Sequence, residues 1–315
     1  MLELLLYIIL FVVAFFIIIK AADYFVDEAA YLGDSFGMSK LMIGLTIVAI
    51  GTSLPELITS LSAIFFTENF SDFIIGTAMG SNITNIVLAF GIFLLFSKTF
   101  TVEKRETFNV LILLATTVLF SYFIITGFVP FLAILLVPLY GFYVYHQSKV
   151  SKKTILKEEE LMVEKQKKHP AFQSIGILFF SFIFIFIGAR LVVFSIEEGG
   201  ALLGIPAAYL TLTTIALATS LPEIAVTVSS ARKKEYLIAI GNILGTNIMN
   251  VCLIIGLSAL TLGYSVNSET YILSVIIFLV STLIFSLMIL FRKFYFVGGF
   301  IFLAMYVVYM LQFIF

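Results

Sequence analysis

The sequence predicts an all-α polytopic membrane protein whose ten transmembrane helices form two inverted five-helix repeats, with broken helices at an ion site. Three observations lead to this fold class. Of the 315 residues, 61% are hydrophobic and only 12% are charged, which is more apolar than a soluble core of this size requires. The apolar residues fall into ten long windows. Two short polar motifs occur twice, once in each half of the chain.

Each apolar window is close to the roughly 20 residues that an α-helix needs to cross the hydrocarbon of a bilayer. The first window is too long for a cleaved signal peptide and lacks a small-residue cleavage site. The single cysteine, Cys252, lies inside a window, so we expect no disulfide framework. The windows cover roughly residues 2–24, 38–65, 72–97, 106–126, 128–146, 171–194, 205–231, 236–262, 270–291 and 295–315.

The charged residues indicate how these helices are oriented. With ten spans, every lysine and arginine except Lys20 and Arg190 falls in loops on one side of the membrane. By the positive-inside rule, that side is the cytoplasm. We therefore expect a multi-pass protein of the cell (plasma) membrane with both termini extracellular. The loops on the opposite side carry acidic residues instead, namely Glu68, Asp72, Glu197, Glu198 and Glu269.

Two repeated motifs divide the chain into halves. "TSLPE" at 52–56 recurs at 219–223, and "GSNITN" at 80–85 recurs as "GTNIMN" at 245–250. Both motifs lie in the second and third windows of their halves, in the same order. Because five spans is an odd number, the second copy enters the membrane from the opposite side, which is the inverted-repeat architecture of secondary transporters. The predicted repeats are residues 1–146 and 171–315.

The only extended polar segment, residues 147–170, joins the two halves. We interpret it as a solvated cytoplasmic connector whose lysines set the topology; a regulatory element and a partner-binding helix are the alternatives. The only two histidines, His146 and His169, belong to this segment or its edge. A histidine metal site or a catalytic dyad within the membrane is therefore excluded.

The repeated "TSLPE" motif places a proline in the middle of a membrane helix. Pro55 and Pro222 have no N–H group, so the helical hydrogen bonds to the carbonyls of Gly51 and Ala218 cannot form. A freed carbonyl in hydrocarbon costs several kcal/mol unless another group satisfies it. A bound cation can do so, which is why we expect both helices to be broken at an ion site.

A glutamate follows each proline, at Glu56 and Glu223. An ionised carboxylate near the bilayer centre costs roughly 3 kcal/mol or more. No lysine or arginine lies near either motif along the chain, so mobile cations are the more economical partners. The side chains around the glutamates supply only oxygen ligands, which select hard cations such as Ca²⁺, Mg²⁺ or Na⁺. These are the hydroxyls of Thr52, Ser53, Ser81, Thr219, Ser220 and Thr246 and the amides of Asn85 and Asn250.

Several polar and small residues near the motifs have structural interpretations. For Asn82 and Asn247, hydrogen bonding between helices explains the sequence as well as contact with an ion does. The glycines of the motifs are expected to permit close packing of helices rather than to bind anything. They are Gly76, Gly80, Gly241 and Gly245.

The segments "GTSLPE…GSNITN" and "ATSLPE…GTNIMN" resemble the two α-repeats of the cation/calcium antiporter superfamily, and most of all its sodium/calcium exchanger branch. The resemblance covers roughly residues 44–91 and 211–256. It implies that the second, third, seventh and eighth spans hold Na⁺ and Ca²⁺ in overlapping sites. It also implies that the first and sixth spans slide past that core to alternate access.

The resemblance assigns roles residue by residue. Glu56 and Glu223 match the central calcium-binding acids, and the main-chain oxygens of Ala49 and Ala216 match carbonyl ligands. The hydroxyls at 52, 53, 81, 219, 220 and 246 match hydroxyl ligands, and Asn85 and Asn250 match paired polar positions. Potassium-dependent relatives have aspartate where this chain has Asn250. The "GNxxE" pattern of proton-coupled members is absent.

The function predicted is a secondary active antiporter that exchanges Na⁺ for Ca²⁺. Two carboxylates carry a formal charge of −2, which one Ca²⁺ or two Na⁺ neutralises. The alternative is a proton-coupled Ca²⁺/cation exchanger in which protons neutralise the glutamates. Two pseudo-symmetric buried motifs in one chain fit a cation channel less well than they fit an exchanger. The sequence contains no nucleophile motif that would indicate an enzyme. We expect the protein to need no cofactor and to bind no nucleic acid. Its substrates should be Ca²⁺ and Na⁺, and we expect it to be a monomer in a lipid bilayer.

Overall fold

The computed structural model is almost entirely helical. For residues 2, 152–159, 171 and 207–219 it describes the backbone alone. The described residues are 2–66, 70–97, 99–101, 106–159, 170–204 and 207–312. The helices are α1 Leu2–Ser35, α2 Lys40–Phe66, α3 Phe70–Ser97, α4 Thr107–Ile125, α5 Leu136–Glu159, α6 Ala171–Leu202, α7 Ala207–Arg232, α8 Tyr236–Thr261, α9 Ser268–Phe291 and α10 Phe296–Leu311.

Among the residues that the structure describes, four two-residue strands lie between helices. They are β1 Phe100–Thr101, β2 Phe128–Val129, β3 Tyr264–Ser265 and β4 Lys293–Phe294. β1 pairs with β4 and β2 pairs with β3, both antiparallel. The pairing stacks the Phe100 ring on the Phe294 ring, with centroids 4.6 Å apart. Each pair therefore ties together two helix ends that are distant in the sequence.

In the described part of the chain, eight helices are long and apolar enough to cross a membrane, namely α1 to α6, α8 and α9. Helix α10 is apolar but has only 16 residues. The structure thus confirms a membrane protein with many apolar helices. The full count of ten spans stays a prediction.

The predicted breaks at the two prolines are wrong. Pro55 lies inside a continuous helical segment, Ala49–Phe66, and Pro222 lies inside α7. Proline has a backbone φ that suits a helix and removes only one hydrogen bond, so the chain on both sides keeps its helical conformation. The regular α-helical bonding is interrupted at other places. The described residues include three π-helical segments, at Gly44–Val48 in α2, Thr84–Ala89 in α3 and Asn250–Ile255 in α8.

Helix α1 is much longer than the window 2–24 that predicts it, because the helix continues through a charged end. Lys233 Nζ lies 2.6 Å from Asp27 Oδ2, and Arg232 Nη1 lies 3.9 Å from Asp23 Oδ1. These pairs join α1 to the end of α7. A hydropathy window stops where charges begin, whereas the helical backbone continues through Asp23, Asp27 and Asp34, each of which has a basic partner. The last is Asp34, whose Oδ2 is 3.6 Å from Lys40 Nζ.

The chain forms two compact units, and each combines segments from both halves. Unit 1 comprises Met1–Thr52 and Val144–Asn242; unit 2 comprises Ser53–Tyr143 and Ile243–Phe315. Helices α2, α5 and α8 pass from one unit to the other. The predicted division into repeats at 1–146 and 171–315 concerns sequence similarity rather than packing, so it stays a prediction.

In unit 1, α1 packs along α6. The rings of Tyr7 and Phe194 meet edge to face with centroids 5.9 Å apart. Further along, a Cβ added at Gly188 would lie 2.6 Å from Ile18 Cγ1, so only glycine allows this approach. The buried core of the unit draws on α1, α2, α6, α7 and α8 and includes Phe25, Ile43, Val226 and Ile238 among others.

In unit 2, phenylalanines fill the core. The Phe90 ring of α3 is fully buried, and its centroid lies 4.6 Å from Phe285 of α9 and 5.2 Å from Phe302 of α10. All of these contacts are edge to face, the arrangement that the ring quadrupoles favour. Part of the large phenylalanine content therefore serves to hold α3, α9 and α10 together.

The predicted connector begins as a continuation of α5. Helix α5 runs to Glu159, and Gln147 and Ser151 at its middle are buried. The backbone N–H of Ser39 donates to Ser151 Oγ at 2.6 Å within unit 1. This stretch is therefore packed rather than fully solvated. Residues 160–169 of the connector, including His169, lie outside the described residues.

Candidate functional site

The twelve predicted ion ligands are distributed over α2, α3, α7 and α8. Every one whose side chain is described is buried. The side chains of Ala216 and Thr219 lie outside the described residues. Unit 1 contains Ala49, Thr52, Ala216, Thr219, Ser220 and Glu223. Unit 2 contains Ser53, Glu56, Ser81, Asn85, Thr246 and Asn250.

The two glutamates among the predicted ligands are deeply buried. Glu56 is 0% exposed and Glu223 is 1% exposed. Each follows the proline of its motif inside an unbroken helix, so the helix itself holds the carboxylate at a fixed depth. A charged group at such a position is stable only with a partner of opposite charge or when neutralised.

In unit 1, Thr52 belongs to a chain of polar side chains. Its Oγ1 lies 3.1 Å from the carbonyl oxygen of Val48, 3.4 Å from that of Ala49 and 3.4 Å from Asn242 Oδ1. Asn242 Nδ2 in turn donates to Thr227 Oγ1 at 3.1 Å. The side chain that carries the predicted hydroxyl ligand is thus held by α8 as well as by its own helix.

Asn242 and Thr227 are buried polar residues that the sequence analysis missed. A signal for both is present in the sequence. Thr227 lies one helical turn after Glu223, and Asn242 lies one turn before Thr246, so each lies on the face of a predicted ligand.

The first turns of α2 and α8 approach each other at two glycines in unit 1. A Cβ at Gly241 would lie 2.5 Å from the carbonyl oxygen of Leu41 and 3.0 Å from Gly44 Cα. Only glycine permits backbones to come so close, so the packing role predicted for Gly241 is confirmed. At Gly76 and Gly80 a Cβ would meet only a tyrosine hydroxyl, at 3.7 and 3.4 Å.

In unit 2, the "GSNITN" and "GTNIMN" motifs meet through their side chains. Asn250 Nδ2 donates to Ser81 Oγ at 3.2 Å and to Asn82 Oδ1 at 3.1 Å. Asn85 Nδ2 lies 3.5 Å from the same Ser81 Oγ. The structure therefore brings together three of the predicted ligands, Ser81, Asn85 and Asn250, from α3 and α8.

Asn82 and Asn247, for which the sequence allows either hydrogen bonding between helices or contact with an ion, both hydrogen-bond to backbone carbonyls. Asn82 Nδ2 donates across to the carbonyl oxygen of Asn247 at 3.3 Å. Asn247 Nδ2 donates to the carbonyl oxygen of Ile243 in its own helix at 2.7 Å. Hydrogen bonding thus accounts for both side-chain nitrogens, and that of Asn82 bridges two helices. Asn247 Oδ1 is buried and has no hydrogen-bond partner among the described residues, so contact with an ion stays an alternative for Asn247.

The π-helical segments in α3 and α8 coincide with predicted ligands. Asn85 is the second residue of the segment in α3, and Asn250 is the first residue of the segment in α8. A π-helical turn contains an extra residue, occurs often at functional sites, and leaves backbone groups out of the regular ladder. The two motifs share this irregularity at equivalent positions, which their amino-acid types did not reveal.

Some buried oxygen atoms of the predicted ligands have no hydrogen-bond partner among the described residues. They are Asn85 Oδ1, Asn250 Oδ1 and Ser220 Oγ. A buried acceptor that is left unsatisfied costs about 1–3 kcal/mol. Amide and hydroxyl oxygens of this kind suit a hard cation such as Ca²⁺ or Na⁺. Within the described part of the chain there is no group of three or more His, Cys, Asp or Glu residues that could hold a metal ion.

Comparison with known proteins agrees with a set of oxygen ligands for hard cations. The family model described as "Sodium/calcium exchanger protein" matches residues 6–149 and 173–315. The inner membrane protein YrbG of Escherichia coli is 32% identical over 289 residues, which cover 89% of this chain and 87% of that protein. The sodium/calcium exchanger MaX1 of Methanosarcina acetivorans is 32% identical over 295 residues, with 79% and 81% coverage.

A solved structure shows the same fold. The sodium-calcium exchanger NCX_Mj superimposes with a TM-score of 0.80 and 25% sequence identity, over 97% of this chain and 98% of that chain. The family match spans most of the sequence, and the shared fold extends over nearly all of it. This chain therefore belongs to the sodium/calcium exchanger family.

Proposed function

We propose that the protein is a secondary active antiporter that exchanges Na⁺ for Ca²⁺ across the membrane by alternating access. The observation that carries this proposal is the repeated "TSLPE" motif, in which each copy holds one deeply buried carboxylate, Glu56 or Glu223. The relatives support it, because MaX1 and NCX_Mj are both named sodium/calcium exchangers.

The proposed ligands are the carboxylates, the buried hydroxyls and amides, and two main-chain oxygens. Their chemistry supports hard cations, since all of them are oxygen donors. The unsatisfied Oδ1 atoms of Asn85 and Asn250 support a role for these two amides. The full set is Ala49, Thr52, Ser53, Glu56, Ser81, Asn85, Ala216, Thr219, Ser220, Glu223, Thr246 and Asn250.

Charge balance explains why such a protein exchanges ions rather than leaking them. Together, ionised Glu56 and Glu223 carry a formal charge of −2, which one Ca²⁺ or two Na⁺ neutralise. Moving two uncompensated carboxylates through a low-dielectric environment is costly. The conformational change that alternates access is therefore favourable only with ions bound. An empty return is suppressed, and transport of one ion requires counter-transport of the other.

The proposed architecture is ten transmembrane helices in two inverted repeats, residues 1–146 and 171–315, joined by the connector 147–170. The family model supports it by matching two stretches of nearly equal length, one in each half. We propose a monomer in the cell membrane with both termini extracellular, which rests on the distribution of lysine and arginine.

The test is Ca²⁺ uptake by the purified protein in proteoliposomes. One set carries an outward Na⁺ gradient at equal pH, and the other carries a pH gradient without Na⁺. Protein-free liposomes are the control for leak. We expect the Na⁺ gradient to drive uptake and the pH gradient to have no effect.

The outcomes separate the candidate functions. Uptake driven by the pH gradient alone would establish the proton-coupled exchanger instead. Uptake that needs neither gradient and follows the membrane potential would indicate a channel. If neither a gradient nor a membrane potential drives uptake above the level of the protein-free liposomes, the result would contradict an exchanger of Ca²⁺ altogether.

A further inference from the structure

We propose that Asn82 is a positioning residue of the cation site, which orients the amide of Asn250 so that Asn250 Oδ1 is left to bind a cation. This inference rests on the proposed function only in taking Asn250 as a ligand of the transported ion. It concerns a residue of α3 that is outside the ligand set, is fully buried in unit 2, and hydrogen-bonds to two residues of α8.

The orientation of the Asn82 amide is set by a backbone carbonyl. The carbonyl oxygen of Asn247 can only accept, so the atom of Asn82 that lies 3.3 Å from it must be the donor Nδ2. Asn82 Oδ1 then faces the other way. It lies 3.1 Å from the Asn250 side chain.

The orientation of the Asn250 amide is set in turn by Asn82. Because Asn82 Oδ1 can only accept, the Asn250 atom next to it must be Nδ2. That nitrogen also donates to Ser81 Oγ at 3.2 Å, so both of its hydrogens are used. Asn250 Oδ1 is consequently turned away from these partners, is buried, and has no hydrogen-bond partner in the part of the chain described here.

A flipped Asn250 amide would be unfavourable while Asn82 is present. The flip would place Asn250 Oδ1 against Asn82 Oδ1, two acceptors at hydrogen-bond distance with no proton between them. It would also turn the Nδ2 donors toward the place where a cation binds. Asn82 therefore makes the oxygen of Asn250 available in advance, and pre-organisation of this kind raises affinity without adding a contact to the ion.

The equivalent residue of the other motif does not have this role. Asn247 occupies the same motif position as Asn82, but its Nδ2 donates to Ile243 of its own helix at 2.7 Å. The amide of Asn85, the counterpart of Asn250, makes one long contact of 3.5 Å to Ser81 Oγ. The repeat is symmetric in sequence here and asymmetric in hydrogen bonding. Asn247 thus offers a matched control of the same residue type and burial.

The experiment uses full-length Asn82→Ala, Asn247→Ala, Asn250→Ala and the double variant Asn82→Ala/Asn250→Ala. Two measurements are made on each: Ca²⁺ binding to the purified protein by calorimetry, and the KM and maximal rate of uptake in proteoliposomes. For Asn82→Ala we expect Ca²⁺ affinity to fall and KM to rise by roughly fivefold, the size expected for one lost hydrogen bond. The maximal rate at saturating Ca²⁺ should stay within about twofold.

The controls distinguish positioning from packing. For Asn247→Ala we expect less than about a twofold change in affinity, since its Nδ2 donates within its own helix and its Oδ1, although buried and without a hydrogen-bond partner among the described residues, is outside the proposed ligand set. The double variant should bind Ca²⁺ as Asn250→Ala does, because Asn82 acts through Asn250. If Asn82→Ala does not reconstitute, Asn82→Ser replaces it. The serine side chain is too short to span the distance between Asn247 and Asn250, so the same loss of affinity is expected.

Three results would overturn the inference. They are unchanged Ca²⁺ affinity in the Asn82 variant, equal losses in the Asn82 and Asn247 variants, and effects of Asn82→Ala and Asn250→Ala that multiply in the double variant. The binding measurement keeps the proposed function separate. Binding that responds to Asn82 as expected, in a protein that does not exchange Ca²⁺ for Na⁺, would contradict the proposed function and leave the role of Asn82 intact.

Discussion

The glutamate of each "TSLPE" motif is the residue on which the proposed exchange depends. Glu56 and Glu223 occupy equivalent positions, and their exposure is 0% and 1%. At an effective dielectric constant near 20, a unit charge about 4 Å from a monovalent cation contributes roughly 4 kcal/mol, and about twice that for a divalent one, before desolvation is deducted. Neutral oxygens cannot replace a term of this size.

We therefore predict that Glu56→Gln and Glu223→Gln each reduce Na⁺-driven Ca²⁺ uptake by at least about 100-fold. Glutamine keeps the volume of the side chain and removes one unit of charge, so a single Ca²⁺ would leave the site with a net positive charge. The measurement is uptake of radioactive Ca²⁺ into proteoliposomes. Glu198→Gln, an exposed glutamate at the end of α6, is the control and should transport normally. Near-normal transport by either motif variant would remove that glutamate from the site.

At the scale of elements, the approach of α2 to α8 depends on glycine. A Cβ at Gly241 would meet backbone atoms at 2.5 and 3.0 Å, which neither helix can avoid by rotating a side chain. The equivalent glycine of the first repeat, Gly76, would place a Cβ in ordinary contact with Tyr271, at 3.7 Å. Two glycines at the same motif position therefore have different structural importance.

We predict that Gly241→Ala destabilises the protein by about 2 kcal/mol, the usual range for overpacking a tight contact. Gly76→Ala should be neutral or stabilising by up to about 1 kcal/mol, because alanine favours the helix and meets no obstacle. The chain has no tryptophan but has one buried cysteine, Cys252. Thermal unfolding in detergent can be followed with a fluorophore that reacts with this thiol on exposure. Equal midpoints for the two variants would refute the close contact.

At the scale of the whole molecule, basic residues mark one end of unit 1. Lys40 Nζ lies 3.2 Å from Glu235 Oε1, and Lys233 Nζ lies 2.6 Å from Asp27 Oδ2. These pairs are partly exposed, so each contributes at most about 1 kcal/mol to stability. The bases at this end therefore matter more for orientation in the membrane than for holding the fold.

We predict that this end faces the cytoplasm. Cysteines introduced as Val150→Cys and Asn267→Cys should label with an impermeant maleimide from opposite sides of the membrane. Val150 is 45% exposed on α5, and Asn267 is exposed just before α9. The native Cys252 is buried and gives little background. In intact cells only the Asn267 variant should react. Labelling of both variants from the outside would refute the ten-span topology.

Much of the fold and of the candidate site follows from the amino-acid order alone. Long apolar windows identify membrane helices, because only a closed hydrogen-bond ladder is stable in hydrocarbon. The duplicated motifs with Glu56 and Glu223 point to a buried cation site, because a carboxylate in such a place needs a counter-charge. These inferences depend on composition and spacing, which can be determined from the amino-acid sequence itself.

Other features depend on how the helices pack. Asn82 and Asn247 are the same residue type at the same position of the two motifs. Their side chains differ, because that of Asn82 hydrogen-bonds to the opposite helix and that of Asn247 hydrogen-bonds to its own helix. The helices continue through both prolines, and Asn242 and Thr227 join the network around Thr52. A hydrogen bond between helices forms only when two groups come within about 3 Å, and that distance is set by the contacts of the whole unit. A symmetric sequence repeat therefore becomes an asymmetric site.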